Sequence, residues 1–472
     1  MRLRASLLPI ISAAVLCLAG CARDSRPSLL LITIDTLRAD HLPVYGYPRA
    51  TAPRIGELAA HGVVFEDVLA PAPETAPACA SLLTGRWPAD LGVRGNSQAL
   101  GLGPRTLAEI LGAAGYDTAG FVSGYPLVRR MSGLDRGFAY FDDEMPDPRA
   151  RTPNVQRSAP KTTDALLAWL SRRRSSRPLF LWVHYYDVHG DYAPGPPYDT
   201  LFGKGGEGPI LPLESIPAYQ RHGTENDASA YIARYDGEIR RVDDQVGRLL
   251  DDLQETGLLA RTLVVVTADH GESLTENGYY FDHGNELYLP SLHIPLILSG
   301  PGVPADGRRI AGPAQTPDIL PTILAILGRP PSPDVAGQSL AGALAGSALP
   351  AKEAFAEARF APYKALTRTA DVGPKLSARD DRFTVLLRLA IPRIEIYDRR
   401  TDPGESRDLA SAPPSGPEEE ALRSEIALAL RTRLGAISEM RPQTPVLTPQ
   451  VRSALEALAL RPTAALPADK AR

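Results

Sequence analysis

The chain is poor in cysteine, with only Cys17, Cys21 and Cys79 in 472 residues. It also lacks a charge excess of either sign: 51 Lys and Arg stand against 55 Asp and Glu, a net charge of −4. That balance gives no electrostatic footprint for a polyanion, so no nucleic-acid partner is expected. No internal repeat and no heptad pattern is present, which argues against solenoid and coiled-coil architectures. The one long apolar stretch, Ala5 to Ala19, is short for a membrane-spanning helix. The basic run Arg172 to Arg174 reads as a solvated helix end. What remains has ordinary apolar and charged content, and a length that suits a large α/β enzyme with an appended subdomain.

The N-terminus reads as a processing signal. Met1 to Arg4 is a basic region, Ala5 to Ala19 is apolar, and Leu18-Ala19-Gly20-Cys21 closes it. This ending resembles a bacterial lipobox, which implies cleavage before Cys21 and a lipid on that residue. Residues 1–20 are then a lipoprotein signal peptide and 21–27 a tether. The expected address is the bacterial cell envelope, anchored on the periplasmic face or at the outer membrane, toward which Ala22 leans. Cys17 leaves with the signal and Cys21 takes the lipid, so Cys79 alone remains and no intramolecular disulfide is expected. The fold must be held by its core, which a chain of this length can bury.

Ser28 to Ile34 (SLLLITI) is a continuous apolar run rich in β-branched residues, the pattern of a central parallel strand buried on both faces. Asp35 ends it, at the strand end where α/β sheets gather ligands. Alternation of helix and strand continues: a helix from Ile55 to Ala60, a strand from Val63 to Leu69, a helix from Thr106 to Ala114, a strand from Asp117 to Ser123. Pro146 to Lys161 reads as a surface loop, Thr163 to Ser171 as a helix, and Pro178 to His184 as another buried strand. Thr200 to Thr224 is rich in Gly and Pro and reads as a mobile flap near the site. Ile239, Val242, Val246, Leu249, Leu250 and Leu253 share one face of a long helix. Strands follow at Leu263 to Thr267 and Ile294 to Ser299, then a helix from Thr316 to Leu327. Beyond Pro350 the rhythm changes to short antiparallel strands at Ala365 to Thr369, Lys375 to Ala378, Phe383 to Leu389 and Ile394 to Tyr397. Pro417 to Leu434 reads as a covering helix. The domain reading is 28–350 for an α/β catalytic domain, 351–440 for a small antiparallel α+β subdomain, and 441–472 for a loosely held tail.

The stretch Pro71 to Pro88, PAPETAPACASLLTGRWP, leaves a strand through prolines and starts a helix at Thr75 that ends near Gly85. A hydroxyl at a helix start meets unpaired N–H groups and the positive dipole end, a setting for a tetrahedral oxyanion. Alone, Thr75 would read as an N-cap. Asp35, Asp269, His270 and His283 stand at strand ends or their loops and could meet it above one sheet. Two carboxylates and an imidazole bind a divalent cation, and a hydroxyl beside that cation ionises more readily.

These segments together resemble the sulfatase-like branch of the alkaline phosphatase superfamily from about Ser28 to Ala410. Matching pieces are ITIDTLRADHLPVYGY, SLLTGRWP, HYYDVHGDYAPGPPY, LVVVTADHGES and IEIYDRRTDPGESRDLA. The resemblance implies a large, mostly parallel sheet flanked by helices. It puts Asp35, Asp269, His270 and the Thr75 oxygen on one divalent metal, Thr75 at the nucleophile, and His189 and His283 on the substrate's oxygens or leaving group. Formylglycine sulfatases carry Cys-x-Pro-x-Arg at this helix start. Here Thr75 stands in the place of the Cys and Cys79 in that of the Arg, and Cys79 reads as a small wall residue. Thr36 stands where many sulfatases have a further metal-binding Asp, which favours Mn or Zn over Mg or Ca.

The remaining candidates have plainer readings. His184 lies inside an apolar strand and reads as a satisfied core residue, whereas His189 follows that strand in a Tyr- and Pro-rich loop. Asp282 reads as a residue that orients His283 or only neighbours it. His41, His61, His222 and His293 read as surface or packing residues, Asp40 as a turn cap, and Asp236 and Glu238 as structural. The expected activity is metal-dependent hydrolysis or transfer at phosphate, phosphonate or sulfate esters, on a small-molecule, glycan or lipid substrate. Two alternatives stay open: a true sulfatase, and a silent binding protein of the same fold. The oligomeric state is open too.

Overall fold

The apolar run that opens the chain is the centre of the sheet. In a computed structural model describing residues 25–146, 156–203, 205–349, 353–359, 373–389 and 393–435 apart from 412 and 415, β1 (Ser28–Ile34) is buried along its whole length. It pairs in parallel with β5 (Leu179–Tyr185) on one side and β6 (Thr262–Ala268) on the other. Both neighbours are equally buried, which is why all three read as unbroken apolar runs rather than alternating ones. The remaining strands are β2 (Gly62–Leu69), β3 (Asp117–Val122), β4 (Tyr140–Asp142), β7 (His293–Ser299) and β8 (Arg308–Gln315). They complete an eight-stranded sheet in the order β4-β3-β5-β1-β6-β7-β2-β8. Only β7 runs against the others, antiparallel to both β6 and β2.

Register places the site. Ile34 faces Tyr185 on one side and Ala268 on the other, so Asp35 and Asp269 leave adjacent strands side by side, one strand spacing of about 4.8 Å apart. The Asp35 N–H still donates to the Tyr185 carbonyl at 2.8 Å. β2 runs in the same direction and hands the chain, through Pro71 and Pro73, to the helix Thr75–Thr84. Every residue of that helix is buried, and it ends at Gly85 with φ 66°, a left-handed position that suits glycine.

A second, four-stranded antiparallel sheet, β12-β11-β10-β9, follows: β9 (Ala354–Ala358), β10 (Lys375–Arg379), β11 (Phe383–Arg388) and β12 (Arg393–Asp398). It has its own apolar cluster around Phe355, Phe383, Val385 and Ile396, closed by Ile426 of the helix Pro417–Gly435. It is tied to the segments that lead to Thr75. The Glu357 N–H donates to the Pro71 carbonyl at 3.0 Å, its carboxylate takes the Arg94 guanidinium, and Arg399 pairs with Asp67 at 2.7 Å.

Most elements lie where the sequence places them, and the exceptions have physical causes. β8 carries Gly312 and Pro313 and lies at the sheet edge, where a missing N–H is tolerated but the strand pattern is erased. β9 is an Ala-rich pentapeptide without a β-branched residue. The strand expected at 365–369 and everything before residue 25, Cys21 included, lie outside the described residues. The helix expected from Thr163 begins earlier, at Ala159. No described helix is long and apolar enough to cross a membrane.

The helix Ala228–Glu255 supports the sheet and also caps the helix Pro53–Ala60: Asp243 accepts from the N–H groups of Arg54 at 2.9 Å and Ile55 at 2.8 Å. Burial pushes the Asp243 carboxyl up to about 7. A folded-state value above the unfolded one means the folded chain binds the proton more tightly, so this group's contribution is greatest at low pH and is lost as pH rises through about 7. The stability of the unsubstituted protein minus that of Asp243→Asn should therefore fall between pH 4 and pH 8, read from urea midpoints. A difference that is flat across that range would contradict the assignment.

Candidate active site

Asp35, Thr75, Asp269 and His270 are all fully buried at the carboxyl edge of β1 and β6. Asp35 Oδ1, Asp269 Oδ2 and the Thr75 hydroxyl make no hydrogen bond of normal geometry, a costly state for buried oxygens unless something else satisfies them. Burial first, then the facing Asp269, pushes the Asp35 carboxyl well above the usual carboxylate range, while the neighbouring Thr75 hydroxyl pulls it the other way. Two like charges held this close need a proton or a cation between them.

Asp269 is aimed by its other oxygen, which accepts from the N–H groups of His270 at 2.8 Å and Thr36 at 3.3 Å. Thr36 is a β-branched residue at φ 54°, a strained conformation. Tyr235 holds it there by donating to the Thr36 carbonyl at 2.7 Å. The Thr36 hydroxyl is likewise buried without a partner. His270 Nδ1 lies 2.9 Å from the Gly271 carbonyl. A carbonyl only accepts, so Nδ1 carries the proton and a neutral ring has its lone pair on Nε2, 3.6 Å from Asp269 Oδ2. Gly271 is required: a Cβ there would run into the Pro290 carbonyl.

His283 and His189 complete the group. The His283 ring centroid is 4.6 Å from that of His270 and 4.9 Å from that of His189. His189 stacks on Tyr186 at 4.5 Å and faces Tyr219 at 6.0 Å. Tyr219 and the buried Gln220 come from the segment read as a flap, and Tyr219 donates to Asp282 at 3.2 Å. That segment is packed over His189. His283 Nδ1 pairs with Glu272 Oε1 at 3.1 Å. Asp282 instead accepts from the His283 N–H at 3.0 Å, so the carboxylate that orients the imidazole is Glu272. Its signal was its position three residues after Asp269 in ADHGES.

Three other readings change. The helix start offers little to an oxyanion: Ala76 N–H is taken by Asn96 Oδ1 at 2.8 Å, Pro77 has none, and Ala78 N–H goes to the Glu74 carbonyl at 3.2 Å. His184 is a satisfied core residue and more, because its Nε2 sits 3.2 Å from Asp35 Oδ2. Asp35, His184 and Asp269 form a group whose ligand atoms all lie within 4.8 Å of one another, able to hold a metal ion. Burial lowers the His184 imidazole to about 4. Asp40 pairs with Arg38 at 2.7 Å rather than capping a turn, and Asp236 serves structure by gathering His41, Tyr47 and Arg49. Cys79 is fully buried, and burial first, then Asp269 and Asp35, pushes its thiol well above its ordinary value. It is a neutral wall.

The model of the sulfatase family matches residues 27–329. The chain belongs to the sulfatase family. Among curated members it is 25% identical over 432 residues to a Delta 4,5-hexuronate-2-O-sulfatase of Bacteroides thetaiotaomicron, covering 84% of this chain and 87% of that protein. It is 26% identical over 384 residues to the multifunctional alkaline phosphatase superfamily protein PehA of Trinickia caryophylli, covering 64% and 74%. Phosphonate monoester hydrolases share the fold. That of Agrobacterium radiobacter superposes with a TM-score of 0.67 at 23% identity over 87% of this chain and 96% of the other. That of Silicibacter pomeroyi gives 0.68 at 24% identity over 86% and 96%. The sulfatase fold thus accounts for both sheets.

Two facing buried carboxylates are a stability cost when the site holds only protons. Asp269→Asn keeps the Oδ1 acceptor, removes one charge and offers an N–H toward Asp35. The metal-free variant should melt higher than the metal-free parent, by the equivalent of about 1–2 kcal/mol. Equal or lower melting by calorimetry in chelator would contradict the opposed pair.

Proposed function

We propose that the chain is a cation-dependent hydrolase of phosphate or phosphonate esters in which Thr75 is the nucleophile. The observation that carries this reading is the Thr75 hydroxyl: buried, making no hydrogen bond of normal geometry, and next to Asp35 at the start of its helix. Asp35, Asp269, His270 and the Thr75 oxygen are the residues that would hold one divalent ion. The orphaned oxygens and the His270 lone pair fit it, and the imidazole favours Mn or Zn. Such an ion would draw charge from the ester oxygens and favour the ionised Thr75 hydroxyl.

The rest falls to the chain. The Thr75 oxygen forms a bond to phosphorus, and the bond to the leaving oxygen breaks with its electron pair. His283, with Glu272 balancing the imidazolium, gives that oxygen a proton. It then takes one from the water that cleaves the phosphothreonine, so the sum is hydrolysis. His189, stacked on Tyr186, steadies the transferring group. A sulfate ester is the second reading, favoured by the sulfatases among the relatives. The neutral Cys79 where formylglycine enzymes have Arg weighs against it. Export on a lipid at Cys21 belongs to the same proposal.

Purified protein with Mn²⁺ or Zn²⁺ should cleave an aryl phosphonate or phosphate diester faster than an aryl sulfate. Thr75→Ala should lose at least about a thousandfold in kcat, while Thr75→Ser keeps measurable turnover. Acid quenching should leave phosphate on the Thr75 peptide by mass spectrometry. Cleavage of sulfate esters alone would move the assignment to the second reading. Because the Asp35 carboxyl is held up in the metal-free state, loading should expel a proton and affinity should rise with pH. Calorimetry in buffers of different ionisation enthalpy checks this; a heat independent of buffer would contradict it.

A further inference from the structure

We propose that His184 is a positioning residue. Its neutral imidazole gives an Nε2–H to Asp35 Oδ2, so that Asp35 turns its other oxygen toward the cation and the nucleophile. The inference rests on the cation-site reading above.

The argument is one of donors and acceptors. Thr33 and His184 face each other across the parallel pair β1 and β5. Trp182 lies two residues before His184 on β5 and donates its Nε1–H to the Thr33 hydroxyl oxygen at 3.0 Å. An indole nitrogen can only donate, so Thr33 accepts there and its own proton must go elsewhere. Two acceptors are near: His184 Nδ1 at 2.7 Å and the Val183 carbonyl at 3.4 Å. The first has the length of a good hydrogen bond and the second does not. A hydroxyl proton on Nδ1 leaves the ring's own proton on Nε2, 3.2 Å from Asp35 Oδ2. The other tautomer would put two donors on the Thr33 oxygen and leave its proton on the 3.4 Å contact. Beside a cation, where Asp35 would be ionised, it would also set a ring lone pair against a carboxylate. Thr33, Trp182, His184 and Asp35 are all fully buried, so a mismatch would be costly.

His184 could otherwise be taken as a third cation ligand, since it lies in the group with Asp35 and Asp269. His270 shows the contrast: its Nδ1 partner is a carbonyl, which forces the lone pair onto Nε2. Two histidines at one site thus take opposite tautomers, one to hold a cation and one to hold the carboxylate that holds it.

Full-length protein labelled with ¹⁵N in its eight histidine rings tests this by proton–nitrogen correlation spectra without and with Zn²⁺, the His184 signals being those missing from His184→Gln. The expected spectrum has a protonated Nε2 and a bare Nδ1 for His184 in both states, while His270 Nε2 shifts on Zn²⁺ addition. A His184 proton on Nδ1, or loss of the Nε2 proton on Zn²⁺ addition, would overturn the proposal. Mn²⁺ calorimetry gives a second reading. His184→Ala should bind about 10–100-fold more weakly, whereas His184→Gln, whose amide N–H can replace the ring N–H, should stay close to the parent. Equal losses in the two variants would mark His184 as a ligand. A parent protein that binds neither ion would sink the cation-site reading, while the metal-free spectrum would still decide the tautomer.

Discussion

Two carboxylates of the same charge, buried and side by side, set the terms for everything around them. The parallel register of β1 with β6 delivers Asp35 and Asp269 to one edge, and the sheet cannot relax them apart without breaking its ladder. Each has one oxygen tied to protein donors and one left over: Asp35 through His184, Asp269 through Thr36 and His270. Tying one oxygen fixes the direction of the other, so the site is aimed before any ligand arrives. Preorganisation of this kind is where enzymes gain most of their electrostatic stabilisation, because nothing must turn at the moment of reaction.

Holding that pair takes much of the fold. Thr36 keeps a left-handed backbone beside Asp269 only because Tyr235, from the long helix Ala228–Glu255, clamps its carbonyl. The Thr75 helix is buried on every residue. The approach to it is pinned by the small sheet through Glu357, Arg94 and Arg399. The antiparallel unit therefore acts as a buttress for the loop that leads to Thr75. The segment after Pro197 closes over His189 with Tyr219 and Gln220. Most of the segment is exposed or half-buried, and it is Tyr219 and the buried Gln220 that bring it to the site.

Strand ends were legible because central parallel strands are apolar throughout, so the first polar residue after each run marks the active edge. Asp35 and Asp269 follow from that rule, and Thr75 from the helix signal after Leu69. What could not be read was pairing across the fold. Glu272 rather than Asp282 orients His283, and adjacency in sequence could only leave the role of Asp282 open. The helix start looked rich in free donors, but Asn96, twenty residues on, takes one of them. His184 read as core because its strand is core. The register that sets it against Thr33 and Asp35 belongs to the sheet, not to the strand. β8 and β9 escaped because edge prolines and alanines carry no β pattern.

The four histidines near the site differ less in position than in what sits on Nδ1. For His270 the partner is a carbonyl, at 2.9 Å, which can only accept and so leaves a neutral ring's lone pair on Nε2; His189 also faces a carbonyl, at 2.8 Å, and offers a substrate oxygen a donor only as the imidazolium. For His283 it is a carboxylate, which accepts and also balances charge, and so suits a ring that takes up and gives back a proton. For His184 it is a hydroxyl already holding the Trp182 N–H, which can give, and so turns a donor outward. The roles proposed for His270, His283 and His184 thus each match the partner on the far side of the ring: backbone, acid and alcohol. A substitution that kept all four histidines but exchanged those partners would keep the residues and lose the site.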